Sequence, residues 1–158
     1  MKLYRIAPER YMNNLSGLGA SYRDGARWNA PGSPVVYFGT SASVAMLELG
    51  NYLPSPRLLP ANYRLGIFEL PDDTGRDIWP QHQLPDDWHH YPYPESTQKL
   101  GTAWLQRCDT LMLLVPSCAV PGAMENIAVI NPLHPTITDI HLIETRQDIY
   151  NQRLFRGI

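Results

Sequence analysis

Short strand-like runs, each closed by proline or glycine, alternate in this chain with only two clear stretches of helical spacing. That rhythm restricts the fold more than any other feature. Residues 3–6 and 63–70 alternate apolar with polar, residues 35–38 are β-branched and aromatic, and residues 111–115 are apolar throughout. Residues 125–130, stopped by Asn131-Pro132, and residues 137–144 complete the strand candidates. One helix starts at Thr40 or Ser41, either of which can cap it, and runs to about Tyr52 before Pro54. A second covers residues 96–106, with Ser96 or Thr97 near its cap. Residues 7–24 read as a glycine-rich connection. Residues 71–95 read as a long proline-rich loop carrying Trp79, Trp88, His82, His89 and His90. Loops of that length are usually functional or cover something. The polar tail, residues 145–158, is expected to hold a short helix. No repeat or linker divides the chain, so a single mixed α+β domain over residues 1–158 is expected.

The first helix carries an anomaly. Val44, Leu47, Glu48, Asn51 and Tyr52 fall on one face at helical spacing, which sets Glu48 on or beside the packed side. A carboxylate drawn toward an interior is costly unless paired or used. Two partners lie shortly upstream: Arg27, in Gly25-Ala26-Arg27-Trp28-Asn29, and Tyr37, in the strand before the helix. Two readings stand. In one, Arg27 grips an anion through its forked donors, Tyr37 stacks on a flat ring, and Glu48 stabilises developing positive charge. In the other, Arg27 and Glu48 form a structural ion pair with Tyr37 in the core. Ser117, after Pro116 at the end of an apolar strand, is either a ligand contact or an ordinary turn serine.

Composition removes several classes. Thirteen basic against fifteen acidic side chains give a net charge of −2, and the only lysines are Lys2 and Lys99. An electrostatic grip on nucleic acid needs a basic surplus. No apolar run approaches the ~20 residues of a membrane span. The polar start of the chain does not read as an export signal, so a cytoplasmic protein is expected. Cys108 and Cys118 are expected as reduced thiols, at least one of them buried. The histidines match no zinc spacing, so no metal site is expected, and His134 in Asn131-Pro132-Leu133-His134-Pro135 reads as structural. Glycine-rich phosphate loops and a nucleophile elbow around Ser117 are both missing.

These residues resemble the RES-domain family, named for an Arg, a Glu and a Ser. The resemblance spans nearly the whole chain. It runs through Tyr4-Arg5-Ile6-Ala7, Ser16-Gly17-Leu18-Gly19-Ala20, Gly25-Ala26-Arg27-Trp28-Asn29, Val36-Tyr37 and Leu47-Glu48. It continues through Leu100-Gly101-Thr102-Ala103-Trp104-Leu105, Val115-Pro116-Ser117, Glu125-Asn126 and Asn131-Pro132-Leu133-His134-Pro135. Ala26 departs from the family, where a second glycine is common.

The resemblance implies a split sheet around a central cleft, similar to ADP-ribosyltransferase toxins. It implies the toxin of a type II toxin–antitoxin pair, with an Xre-type helix-turn-helix antitoxin as partner. NAD+ would be its substrate, with no recycled cofactor. Glu48, Arg27 and Tyr37 are then expected as catalytic residues, and Arg27, Tyr37, Ser117 and Arg5 as NAD contacts. The expected reaction is cleavage of the nicotinamide–ribose bond. Its alternatives are mono-ADP-ribosylation of a protein and a non-catalytic nucleotide- or partner-binding module. No direct nucleic-acid or membrane contact is expected, and a homodimer is the default assembly.

Overall fold

A computed structural model describes residues 1–151, 153 and 154. Its framework is a seven-stranded sheet built from β1 (Lys2–Pro8), β2 (Val36–Gly39), β3 (Tyr63–Glu69), β4 (Arg76–Ile78), β5 (Met112–Pro116), β6 (Asn126–Ile130) and β7 (His141–Arg146). The order is β4-β5-β6-β2-β1-β3-β7. Every neighbouring pair is antiparallel except β4 and β5.

The two halves of the sheet meet at one ladder position. β1 and β3 pair along seven residues, whereas β1 and β2 pair only at Tyr4 and Gly39. This junction is the split anticipated above. It is also where helix α2 (Ala42–Gly50) comes closest: a Cβ on Gly39 would stand 2.6 Å from the Ala45 nitrogen. Only glycine lets helix and strand backbones approach so nearly.

The strand periodicity divides the side chains between two faces. On one, Leu3, Ala7, Val36, Phe38, Phe68, Met112, Leu114 and Ile130 pack with Met12 and Ile140. The other face has two separate covers. Ala45 of α2 packs with Leu65 and Ile149, against Tyr4 and Ile6, over one half. Over the other half, Trp28, Trp88, Trp104 and Leu105 pack on Leu113, Val115 and Val129. Each fully buried side chain of this size contributes ~1.5–3 kcal/mol relative to exposure.

The structure departs from the sequence expectations in identifiable places. Helix α1 (Ala20–Asp24) lies inside the expected glycine-rich connection, and β4 inside the expected loop 71–95. β4 is only three residues long, too short for a periodicity. It is held by Asp77, whose Oδ2 accepts from Trp104 Nε1 and Thr110 Oγ1, both at 2.7 Å. Helix α3 (Glu95–Arg107) begins one residue earlier than expected, with Pro94 at its cap rather than Ser96 or Thr97. Residues 135–139 form a 3-10 turn, so the last strand starts at His141. Residues 145 and 146 are strand. The rest of the tail lacks a helix among its described residues, and 152 and 155–158 lie outside them. On α2 it is Ala45, not Leu47, that is buried, because the close approach at Gly39 favours a small side chain. Neither cysteine is buried: Cys108 closes α3 in the left-handed conformation and Cys118 is exposed.

Candidate functional site

Glu48 lies in the last turn of α2, where Ser41 starts the helix by accepting the Val44 N–H at 3.1 Å. The strand end after β5 meets it. Ser117 is fully buried and donates its hydroxyl hydrogen to Glu48 Oε1 at 2.6 Å, while its oxygen accepts the Ala119 N–H at 3.1 Å. A buried hydroxyl with both functions used holds its partner in one orientation. Ser117 therefore aims the carboxylate. Ser117, expected as a substrate contact, faces Glu48 here and not solvent.

Arg27 sits in a tight turn closed by reciprocal backbone bonds between Ala26 and Asn29, at 3.0 and 3.4 Å. Helix α3 clamps this turn with residues at helical spacing. Gln98 Nε2 donates to the Ala26 carbonyl at 3.0 Å, and Thr102 Oγ1 accepts the Ala30 N–H at 2.9 Å. Between them, Gly101 lies under Trp28, whose carbonyl oxygen would be 2.0 Å from an added Cβ. The Arg27 Nη1 donates to the carbonyls of Trp88 and His90, the latter at 2.8 Å, and the guanidinium carbon stands 5.3 Å over the Tyr93 ring. Among the described residues this leaves Nε and Nη2 without a hydrogen-bond partner, a fork whose geometry suits a phosphate or carboxylate.

The expected alternative of an Arg27–Glu48 ion pair is not formed: among the described residues Arg27 has no carboxylate within 4.0 Å. Both charges are nevertheless felt at the Cys118 thiol. Partial desolvation of the sulfur by its surroundings, foremost, pushes that thiol up, exposed as the residue is; the Arg27 charge pulls it down and the Glu48 charge raises it. The cation and the carboxylate thus flank one neighbourhood without neutralising each other.

Tyr37 points from β2 between the two covers. Its hydroxyl donates to Asn29 Oδ1 at 2.7 Å and accepts the Trp28 N–H at 3.2 Å. A phenol has one proton, so Tyr37 has none to give a ligand and offers a ring face instead. Burial pushes its ionisation far above the ordinary range; the Trp28 N–H and the Arg27 charge oppose that only in part. Asn29 is itself fully buried and anchored through Nδ2 to the Ser21 carbonyl at 2.7 Å.

Arg5 does not join this group. It shares a strand face with Leu3 and Ala7, opposite the Tyr4 and Ile6 side chains that meet α2. Its Nη1 donates to the Asn14 carbonyl at 2.9 Å, and burial lowers its pKa. The expected NAD contact is corrected by strand parity. His134 caps the turn after β6, accepting the Thr136 N–H at 3.3 Å.

Sequence reasoning overlooked Asn29 as the orienter of Tyr37, and the Gln98, Gly101 and Thr102 clamp. The clamp was findable from its i, i+3, i+4 spacing. The Trp88 and His90 carbonyls that hold Arg27 leave no side-chain signal.

Comparison with known proteins finds relatives along nearly the whole chain. The RES domain family matches residues 2–150 of the chain. A Yersinia enterocolitica protein named Toxin Res is 37% identical over 135 residues, covering 85% of this chain and 86% of that protein. A Sphingobium protein named Prs ADP-ribosylating toxin is 35% identical over 146 residues, covering 91% and 88% respectively. Among solved structures, a chain of the M. tuberculosis MbcT–MbcA toxin–antitoxin complex superposes with a TM-score of 0.70. It covers 92% of this chain and 82% of that one at 23% identity, a likeness of fold.

Proposed function

The chain belongs to the RES domain family, and from that premise we propose that it is the toxin of a toxin–antitoxin pair that arrests growth by cleaving NAD+ at the nicotinamide–ribose bond. The observation that carries this reading is a carboxylate aimed by a buried serine beside a fixed arginine that it does not neutralise. Among the described residues no helix is long and apolar enough to cross a membrane, which agrees with a target inside the cell.

Breaking an N-glycosidic bond leaves an oxocarbenium-like ribose, as in glycoside cleavage. Glu48 supplies the opposing negative charge. With Oε1 tied to Ser117, Oε2 faces the ribose. The free Nε–Nη2 fork of Arg27 takes the pyrophosphate, and the ring of Tyr37 forms a wall for nicotinamide or ribose. Water, phosphate or a protein side chain then captures the ribose carbon. Transfer to a protein is a second reading that uses the same site, and the name of the Sphingobium relative favours it. The proposed partner is an antitoxin, of the Xre helix-turn-helix kind, in keeping with the toxin–antitoxin complex of similar fold.

Cellular NAD after brief induction of the wild-type chain and of Glu48→Gln tests the proposal. A rapid fall with wild type alone supports NAD consumption through Glu48. Arrest at steady NAD, with label from NAD+ appearing on protein, favours the transfer reading. No arrest and steady NAD would return the chain to a binding module.

A further inference from the structure

Two tyrosines outside the group described above join the end of α2 to the side of Arg27. Tyr52 follows α2 by two residues, in the turn that closes the helix: its N–H reaches the Leu49 carbonyl at 3.0 Å, and the Asn51 N–H reaches that of Glu48 at 3.3 Å. Tyr93 lies beside Arg27, whose guanidinium carbon is 5.3 Å from its ring centroid. The two hydroxyls are hydrogen-bonded to each other. Tyr37 lies beneath, and its phenol is pushed up in part by both of them.

The partners are held unequally. Tyr93 is fixed between Arg27 and the edge of Tyr91, whose ring centroid is 5.5 Å away at 88°. Tyr52 is 67% exposed, and among the described residues its only side-chain hydrogen bond is the one to Tyr93. Little but that contact holds its ring in place. We propose that Tyr52 and Tyr93 form a clasp between the end of α2, the helix that carries Glu48, and Arg27, with Tyr52 the moving arm, that must part before NAD+ reaches these two residues and so limits its affinity. This inference rests on the substrate reading above.

A closed state that excludes substrate reduces apparent affinity by the fraction of molecules that are open. A single phenol–phenol bond is strong enough to shift that fraction about threefold to tenfold. The test is a double-mutant cycle of Tyr52→Phe and Tyr93→Phe in the Glu48→Gln chain, which keeps the side chain's size while slowing turnover. NAD+ affinity is read by calorimetry and the association rate by stopped flow.

Each single Phe variant is expected to tighten binding about threefold to tenfold, through faster association. The double variant should gain no more than either single, because one bond is removed in every case. Weaker or unchanged binding in the single variants, or additive effects in the double, would overturn the clasp. If the Glu48→Gln chain with both tyrosines intact melts normally yet binds no NAD+, the substrate reading itself fails and the clasp falls with it. Binding by that parent without the predicted gain rejects the clasp alone.

Discussion

Ser117 donates its hydroxyl hydrogen to Glu48 at 2.6 Å, joining the end of β5 to α2 across 69 residues of sequence. The bond turns a carboxylate at a helix end into one with a set direction. Removing it by Ser117→Ala leaves Glu48 free to rotate and the Ala119 N–H without its acceptor. The expected result is a loss of about 10-fold to 100-fold in kcat/KM for NAD+. Stability should fall by about 1–3 kcal/mol. Steady-state kinetics and thermal unfolding on the same preparation check both. Full activity would return Ser117 to an ordinary turn role.

Among the described residues Arg27 uses one nitrogen for the protein and leaves two for the pyrophosphate proposed above. Lysine's compact ammonium lacks the planar fork that can grip an anion in two places while a third nitrogen holds the carbonyls. Arg27→Lys is therefore expected to raise the KM for NAD+ at least about 10-fold, the scale of one charge-assisted contact. It should affect kcat less, since a pyrophosphate contact is made in ground and transition states alike. An unchanged KM would place Arg27 in a purely structural role.

The committed proton of Tyr37 separates its ring from its hydroxyl. Tyr37→Phe is expected to keep most of the turnover while losing about 1–3 kcal/mol, because the buried Asn29 Oδ1 loses its donor. Tyr37→Ala should lose the wall and the activity with it. The alkaline limb of stability carries a second signature. The folded phenol ionises well above the unfolded value of about 10, so above that pH the unfolded chain releases a proton the folded chain keeps. Folding stability should then fall with rising pH by up to about 1.4 kcal/mol per unit from this group. Tyr37→Phe should flatten that limb in chemical denaturation between pH 9 and 11.

Gly101 brings α3 against the backbone of Trp28, where an added methyl would overlap the carbonyl. Backbone cannot swing aside as a side chain can, so Gly101→Ala is expected to cost about 3 kcal/mol. In a domain of this size that lowers the melting temperature by about 6–12 °C. The turn that carries Arg27 moves with Trp28, so the variant should also bind NAD+ more weakly at temperatures where it is still folded. A melting temperature within a degree of wild type would show that α3 does not set the position of this turn.

Local pattern was enough for much of this molecule. Strand alternation and apolar runs mark β1, β2, β3, β5 and β6, and Ser41 marks the start of α2, because each signal resides in adjacent residues. Motif spacing and the family resemblance singled out Arg27, Tyr37, Glu48 and Ser117; the tertiary structure bonds Ser117 to Glu48 and seats the Tyr37 hydroxyl on Trp28 and Asn29, in the turn that also fixes Arg27. What the sequence could not specify depends on partners distant along the chain. β4 exists because Asp77 meets Trp104 and Thr110, and Arg27 is held by carbonyls sixty residues away that carry no residue-type signature. Arg5 came from the family resemblance as a second arginine for the anion or for a structural pair, and strand parity sends it to the other face. The sequence by itself determined the longer elements and the chemical groups, since those follow from local propensity and side-chain type. Only the tertiary structure decided which groups meet, because direction across a sheet and contact between distant segments are properties of the assembled backbone.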